Sequence, residues 1–384
     1  MRRVGMVLAI LAIAIGLLAA AHVYVATRLV LDCGLSGSAR SIPLWVIGML
    51  GFGMVFQPVA ERFYRPPALL WLSWIPLLWM GVLWLTVVML GVTDGLLWLL
   101  GAGPAEGAAR IRAIGVVGVV AAATVVGLRA ALALPSVRRV EVTIERWPQS
   151  LDGFRIVQLS DIHIGPILRR EFAERLVAEV DRLAPDLVAL TGDLVDGSVR
   201  QLREEVEPLG KLSAPHGVYF VTGNHDYYSG LEPWLARISE LGIRPLRNER
   251  VRIGEGDGAF DLAGVDDHRG DWVRGSSEDL TQALGDRDPD RPVVLLAHDP
   301  ASFERARVMQ VDLQISGHTH GGQIWPFAYL VRLAVPQVAG LLRRGRSQLY
   351  VSRGAGFWGP PIRLFSPSEI TEIAIRRGSA VRPA

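Results

Sequence analysis

Eight residues that could bind a metal ion or transfer a proton lie between positions 161 and 320 of this 384-residue sequence. They occur in five short groups, D-I-H, G-D, G-N-H-D, H-D and G-H-T-H, and each group closely follows an apolar segment. The residues are Asp161, His163, Asp193, Asn224, His225, His298, His318 and His320. Mixed nitrogen and oxygen donors suit manganese, iron or zinc better than calcium. The groups therefore predict a metal site.

The apolar segments before these groups have the length and composition of buried β-strands. They alternate with segments whose apolar residues recur at helical spacing. The predicted strands include 154–160, 186–191, 218–222, 260–264 and 293–297, and the predicted helices are 170–183, 200–212 and 234–241. This order predicts an α/β domain with a layered sheet. Because ligands bind at the carboxyl ends of strands in such sheets, we expect the five groups to meet at one edge.

Each group by itself is weak evidence for a site. A single histidine beside a strand more often has a structural role, and aspartate is common where strands turn. Here, however, five of the chain's eight histidines lie at predicted strand ends, together with two aspartates and an asparagine. The joint pattern favours one functional site.

The motifs D-I-H, T-G-D, G-N-H-D, A-H-D and G-H-T-H, in this order, resemble those of the calcineurin-like metallophosphoesterases over about Phe154–Ile375. The extended G-H-T-H-G-G-Q, with Tyr350–Gly356 and Pro361–Thr371, is similar to the membrane-associated branch. That branch includes bacterial phosphodiesterases and some lipid-precursor pyrophosphatases. The resemblance implies a layered β-sandwich flanked by helices, following an N-terminal multi-pass membrane region.

The same resemblance implies two divalent metal ions, which could be manganese, iron or zinc. Asp161, His163 and His320 would hold the first ion, and Asn224, His298 and His318 the second. Asp193 would bridge the two ions. The implied enzyme is a metal-dependent phosphodiesterase that hydrolyses a phosphodiester or pyrophosphate bond by attack of a metal-bridging hydroxide.

His225 is the general acid that the resemblance implies, protonating the leaving oxygen or stabilising its charge. Asp226 would either orient the His225 imidazole or cap the turn, and the sequence leaves both roles open. The glycines that flank the ligands would let the chain turn tightly and leave room for phosphate; they are Gly192, Gly223 and Gly317.

The first third of the chain is predicted to be a membrane anchor. Apolar stretches cover about 4–26, 43–60, 68–92 and 113–134, and about 20 apolar residues suffice to cross a bilayer. The predicted domains are therefore a membrane region at 1–137 and a metallophosphoesterase domain at 138–384. A cleavable signal peptide is the alternative for the first stretch, but three further stretches disfavour it.

The charges of the chain narrow its function and location. The net charge of +2 gives no support for nucleic-acid binding. Charged residues are absent near the middle of the spans, which disfavours a transporter. The arginine bias between connecting segments predicts a multi-pass protein of the cell membrane with its catalytic domain in the cytoplasm. The single cysteine, Cys33, excludes an intrachain disulfide and a cysteine-based zinc cluster.

The apolar segment 324–346, which ends in Arg343, Arg344 and Arg346, is predicted either to rest on the bilayer or to pack over the sheet edge. Phe357 and Trp358 replace the smaller or more polar residues expected in the family pattern, which leaves the substrate open. A phosphate ester, lipid-linked or nucleotide-linked, is the substrate class considered. The alternatives are a broad phosphomonoesterase and a non-catalytic membrane sensor of phosphorylated ligands. Metal identity and oligomeric state are not determined by the sequence.

Overall fold

The protein is described by a computed structural model that covers residues 2–63, 72–101, 106–268 and 277–378. The chain divides into two compact units. The first, here called the helical unit, comprises Met1–Arg129 and Gly359–Ile362. The second, here called the sheet unit, comprises Ala130–Trp358 and Arg363–Ala384.

Four long helices dominate the helical unit. They are α1 (Arg2–Ala26), α2 (Gly37–Phe63), α3 (Trp74–Leu99) and α4 (Glu106–Leu132). The described residues hold four helical segments long and apolar enough to cross a membrane, at Leu8–Leu31, Gly37–Gln57, Trp74–Leu99 and Gly107–Leu132. The predicted set of four apolar helices is confirmed.

The helix bounds differ from the predicted spans. The second helix begins six residues before position 43, and the fourth includes Arg110 and Arg112, which were expected in a connection. Backbone hydrogen bonding continues a helix through polar residues, whereas hydropathy marks only the part that fits in hydrocarbon. The start of the third predicted span, 68–71, lies outside the described residues.

A charge network joins three elements of the helical unit. Asp94 of α3 accepts a hydrogen bond from the Tyr24 hydroxyl at 2.8 Å and pairs with Arg28 at 2.9 Å. Arg112 of α4 also pairs with Asp94. Charged groups of this apolar unit are thus paired with one another.

In the described part of the sheet unit, twelve strands form two six-stranded sheets. In chain order they are β1 (Ser136–Ile144), β2 (Phe154–Leu159), β3 (Leu187–Thr191), β4 (Val218–Val221), β5 (Arg244–Pro245), β6 (Glu249–Glu255), β7 (Gly258–Gly264), β8 (Val293–Leu296), β9 (Leu313–Ser316), β10 (Gly340–Arg344), β11 (Ser347–Val351) and β12 (Glu369–Arg377). The first sheet has the order β1-β12-β2-β3-β4-β5, and the second has the order β10-β11-β9-β8-β7-β6. Strands β2 to β5 run parallel, as do β7, β8, β9 and β11, so their carboxyl ends share an edge within each sheet.

Short helices accompany the sheets. They are α5 (Arg170–Leu183), α6 (Val199–Leu202), α7 (Asn224–Tyr228), α8 (Leu231–Glu240), α9 (Leu280–Leu284), α10 (Phe303–Val308) and α11 (Ala328–Val331). The predicted helix at 170–183 has the observed bounds. The predicted helix at 200–212 is instead α6 and a separate 3-10 turn, because Pro208 has no N–H for a continuous helix.

The buried strands are apolar on both faces. In β2, Phe154 and Ile156 join the core shared by the two sheets, whereas Val157 and Leu159 pack in the core that contains α5. Strands covered on both sides read as continuous apolar runs rather than alternating ones. The layered sandwich with flanking helices is confirmed, and this arrangement positions the polar strand ends.

Candidate metal centre

The five polar groups of the sequence lie just beyond the carboxyl ends of five parallel strands. The assignments are Asp161 and His163 after β2, Asp193 after β3, Asn224 and His225 after β4, His298 after β8, and His318 and His320 after β9. Three of these strands belong to the first sheet and two to the second. The two sheets together therefore supply one set of side chains.

The first cluster consists of Asp161, His163 and His320, and all three residues are buried. The Nε2 atoms of the two histidines lie 3.1 Å apart. His320 Nε2 also lies 3.5 Å from Asp161 Oδ1. One ligand atom from each residue lies within 4.8 Å of the others, a spacing that could hold a metal ion.

The second cluster consists of Asp193, His298 and His318. His298 Nε2 lies 3.2 Å from Asp193 Oδ2, and His318 Nδ1 lies 3.1 Å from His298 Nε2. His318 is partly exposed, in contrast to the other two residues. This cluster has the same donor types as the first cluster.

One carboxylate oxygen faces both clusters. Asp193 Oδ2 lies 3.2 Å from His298 Nε2 and 3.8 Å from His163 Nε2. The other oxygen, Oδ1, accepts a hydrogen bond from the backbone N–H of His225 at 2.8 Å. This bond fixes the carboxylate with Oδ2 directed between the clusters.

Asn224 supplies a test of whether these residues fit a metal ion. Its Oδ1 is buried and has no hydrogen-bond partner among the described residues. A buried polar atom without a partner costs roughly 1–3 kcal/mol, and such an atom commonly marks a missing ion or water. A neutral amide oxygen is a suitable donor for a divalent cation, so Asn224 and the two clusters together fit a metal site.

The backbone at this edge is unusual. Positive φ angles occur at five of the predicted ligands: Asp161 (52°), His163 (50°), Asp193 (52°), His318 (71°) and His320 (49°). Residues other than glycine rarely adopt this region, which costs on the order of 1–3 kcal/mol each. Such strain persists only where the surrounding fold imposes it, and it concentrates at functional sites.

Glycine is required here mainly by close approach. Gly192 has a φ of +83°, and a Cβ added there would lie 2.6 Å from His298 Nδ1. A Cβ at Gly317 would overlap Ser160 Oγ and Asp161 Oδ2. Side chains at these positions would therefore displace the ligand-bearing residues themselves, a stronger constraint than the predicted need to leave room for phosphate.

Asp196 is a site residue that the sequence reasoning missed. Its Oδ2 lies 3.1 Å from His163 Nδ1, and its Oδ1 lies 2.7 Å from His225 Nδ1. The three residues are close enough to hold a cation. We interpret them instead as two imidazoles that each donate Nδ1–H to one carboxylate oxygen, so that Nε2 of His163 is the ring nitrogen that belongs to the first cluster. The available signal was its position three residues after Asp193.

Asp226 performs the capping role rather than the ring-orienting one. Its Oδ2 accepts hydrogen bonds from the backbone N–H of Gly223 at 2.8 Å and of Asp193 at 3.0 Å. Its Oδ1 accepts another from the backbone N–H of Leu194 at 3.0 Å. Asp226 thus ties the loop after β3 to the loop after β4, while Asp196 contacts the His225 ring.

The two clusters differ in electrostatics. Burial lowers the pKa of His320 well below its ordinary value, and the neighbouring His163 and Arg363 lower it further. Burial alone would also lower the pKa of His298, but the carboxylate of Asp193 raises it well above the ordinary value. The two clusters thus shift the pKa of a histidine in opposite directions.

The carboxyl groups of the two clusters also differ in pKa: that of Asp161 in the first cluster is raised, and that of Asp193 in the second is lowered. Burial raises the pKa of Asp161. Burial would do the same at Asp193, but His298 and His225 hold the pKa of this carboxyl well below its usual range. The environment of Asp193 therefore favours the ionised form of this carboxyl.

Arg363 is a buried cation behind the first cluster. Its Nε donates to Gly356 O at 2.9 Å and its Nη1 donates to Ser366 O at 3.0 Å. Its Nη2 lies 3.3 Å from His320 Nδ1. Burial lowers the pKa of this guanidinium to about 10. The sequence motif P-I-R contained this residue without indicating its place.

His225 lies at the open side of the centre. Its side chain is 19% exposed, and its ring lies 5.5 Å from that of Tyr228 and 6.3 Å from that of Trp358. Burial would lower the pKa of His225, but Asp193 and Asp196 raise it to about 9. Phe357, by contrast, is buried in the core with α5.

Comparison with known proteins agrees with this geometry. A family model described as calcineurin-like phosphoesterase matches residues 154–322. A Danio rerio protein named transmembrane protein with metallophosphoesterase domain is 39% identical over 268 residues, which are 67% of this chain and 61% of that protein. A Bos taurus protein of the same name is 42% identical over 265 residues, 66% of this chain and 60% of that protein. The chain thus spans about 60% of the length of these two relatives.

A bacterial relative is covered almost completely. An uncharacterized metallophosphoesterase of Aquifex aeolicus is 34% identical over 244 residues, which are 62% of this chain and 91% of that protein. The family is metal-dependent, and the histidine and aspartate groups described above are positioned for a metal site. The chain belongs to the calcineurin-like phosphoesterase family.

Proposed function

We propose that the protein is a membrane-anchored phosphodiesterase that uses two divalent metal ions to cleave a phosphodiester or pyrophosphate bond. The observation that carries the proposal is the shared oxygen of Asp193, which lies within 4 Å of a histidine of each cluster. A single metal would need one cluster, whereas a carboxylate between two clusters suits a pair of cations.

The donor atoms divide between two ions. Asp161, His163 and His320 would hold the first ion, Asn224, His298 and His318 the second, and Asp193 both. Manganese, iron and zinc suit this mixture of nitrogen and oxygen donors. When bound, such ions supply a water of lowered pKa as nucleophile and neutralise charge on the phosphate.

The protein's own groups complete the reaction. Because Asp196 accepts a hydrogen bond from His225 Nδ1–H, the other ring nitrogen, Nε2, is the atom available to a substrate. We assign His225 Nε2 as the donor of a proton or hydrogen bond to the leaving oxygen. Asp226 holds the two loops in register, which keeps Asp193 and Asn224 at their positions.

Anchoring and location form the second part of the proposal. The helical unit would be the membrane region, predicted as 1–137, and the sheet unit the catalytic domain, predicted as 138–384. Four crossings and the arginine bias support a catalytic domain on the cytoplasmic side. The relatives named as transmembrane proteins support the anchor. A lipid-linked or nucleotide-linked phosphate ester is the proposed substrate class.

The test is a metal count combined with hydrolysis. The full chain, purified in detergent, would be loaded with manganese, its bound metal measured by mass spectrometry, and its activity assayed on a bis-aryl phosphate, an aryl monophosphate and a nucleotide-diphosphate lipid. We expect two ions per chain and faster cleavage of the diester or pyrophosphate. Faster monoester cleavage would indicate a phosphomonoesterase, and two bound ions without hydrolysis would indicate a sensor.

A further inference from the structure

The stretch between the candidate metal centre and β12 has an unusual composition. Residues 324–368 contain six arginines and no aspartate or glutamate. The same stretch exposes large apolar side chains beside the centre. The proposed function gives these residues no role.

Five exposed apolar side chains form what we call the apolar patch. Their exposed fractions are 43% for Trp325, 62% for Tyr329, 51% for Leu330, and 85% each for Leu333 and Phe365. The two parts of the sequence are held together, because the backbone N–H of Trp325 donates to Leu364 O at 3.2 Å and the Trp325 and Phe365 rings lie 6.4 Å apart. Large exposed apolar side chains in one place mark an interaction surface.

Four arginines of the same stretch, which we call the arginine group, are exposed. They are Arg332, Arg343, Arg344 and Arg346. None of them forms an ion pair with another residue in the described part of the chain. The other two arginines of the stretch differ, since Arg353 pairs with Glu369 at 2.8 Å and Arg363 is buried among carbonyl groups. The arginine group therefore has positive charge available for an anionic partner.

The chain's connections indicate what covers the patch. Only three residues separate the end of α4 at Leu132 from the start of β1 at Ser136, a span of at most about 14 Å. In addition, Gly359–Ile362 belongs to the helical unit. A Cβ at Gly81 of α3 would lie 2.7 Å from Ile362 Cδ1. Trp358 and Arg363 are thus joined directly to a segment of the helical unit, and Phe365 follows two residues after Arg363.

We propose that the apolar patch and the arginine group form a second membrane contact that inserts into the headgroup region of a bilayer containing anionic lipids. Aromatic and leucine side chains bury in the interface, and arginines add electrostatic attraction to anionic headgroups. The proposal rests on the membrane crossing by the four helices and does not depend on hydrolysis. The patch begins five residues after His320, so this contact would hold the candidate centre at the lipid surface.

The test measures the depth of single positions in the full chain. In a Cys33→Ser background, Leu333→Cys and Phe365→Cys would be labelled with a fluorophore, and the protein reconstituted in nanodiscs containing lipids with nitroxide quenchers. Val308→Cys, at a position 75% exposed on α10, is the matched control, and Leu17→Cys on α1 reports on crossing. We expect quenching at 333 and 365 at least about threefold greater than at 308.

A second arm varies the headgroup charge. Quenching at 333 should increase with the fraction of anionic lipid, and Arg343→Gln, Arg344→Gln and Arg346→Gln together should remove this dependence. Arg175→Gln, Arg200→Gln and Arg377→Gln, three exposed arginines elsewhere in the sheet unit, form the matched control. Arginines on an edge strand such as β10 also prevent that strand from pairing with another chain. That role would not make quenching depend on headgroup charge, so the experiment measures the dependence of quenching on the fraction of anionic lipid.

Three outcomes would overturn the proposal. If the label at 17 is quenched and the label at 333 is quenched no more than the label at 308, the helices cross the bilayer but the second membrane contact does not form. Absence of quenching at 17 would remove the anchor and the contact with it. Magnetic coupling between spin labels at 333 of two chains, without lipid quenching, would assign the patch to a second copy of the chain.

Discussion

The two clusters of the candidate metal centre have the same donor types but different surroundings. His320 of the first cluster has the buried guanidinium of Arg363 behind it, whereas His298 of the second donates from Nδ1 to the carbonyl of Thr191 at 2.8 Å. Burial, His163 and Arg363 lower the pKa of His320, whereas the carboxylate of Asp193 raises that of His298. Two histidines of the same centre thus differ in pKa because the charges beside them differ.

The difference also concerns solvent. The residues of the first cluster are all buried, whereas His318 of the second is partly exposed. His225 lies beside the first cluster, linked to His163 through Asp196. The first cluster is thus the more enclosed of the two, and the second cluster the more accessible one.

The largest effect is expected at the residue common to both clusters. Asp193→Asn removes the anionic oxygen that faces His163 and His298, so both ions should be lost and hydrolysis should fall by at least about 10²-fold. His318→Ala should also abolish hydrolysis but should leave the first ion bound. Metal counting and diester hydrolysis on folded protein check both, and full activity in either variant would contradict the assigned roles.

A smaller effect is expected from a substitution that acts on the first cluster alone. Arg363→Lys keeps the charge but loses the fork that reaches several carbonyls and His320. We expect the first ion to bind about 10–100-fold more weakly, with the second unchanged. Equilibrium metal titration measures this. Arg353→Lys, which alters the pair with Glu369, is the control. Equal weakening of both ions would show that the clusters are not independent.

Asp196→Asn should affect the proton donor more than the metals. The asparagine amide carries no negative charge and has one acceptor oxygen for two Nδ1–H groups. The ring of His225 is therefore held less firmly. We expect kcat to fall about tenfold with little change in KM. The steady-state constants for an aryl diester, with metal content measured in parallel, test this. A fall in metal content that accounts for the whole loss would refute the assignment.

The smallest effect on chemistry is expected at Asp226, where the effect is on stability. Asp226→Asn replaces one acceptor oxygen by an amide group that faces backbone N–H donors, which should lower the free energy of unfolding by about 1–3 kcal/mol. Thermal unfolding of the metal-free protein measures this. Asp196→Asn, whose carboxylate accepts from imidazoles, serves as the comparison. A larger loss of stability in Asp196→Asn would argue against the loop-tying role.

Much of the fold followed from local pattern. The helix at Arg170–Leu183 was predicted with its bounds, because its apolar residues recur at helical spacing over four turns. Strand β5 has only two residues and β1 is half exposed, so neither carries a clear pattern. The mixture of charged and apolar residues in 200–212 predicts one helix, and this prediction is wrong. Pro208 has no backbone N–H to donate, so the segment forms α6 and a separate 3-10 turn.

The sequence by itself determined the donor types, their positions after apolar strands and the family, since these depend on residue identity and on short-range order. Only the tertiary structure decided which atoms meet. His163 and His320 are 157 positions apart, and Asp196 reaches two rings from the loop after β3. Such contacts depend on how two sheets pack and on strained backbone at five ligands, and neither is encoded in local periodicity. The protonation of His298 and His320 likewise depends on burial and neighbouring charge, which exist only in the folded chain.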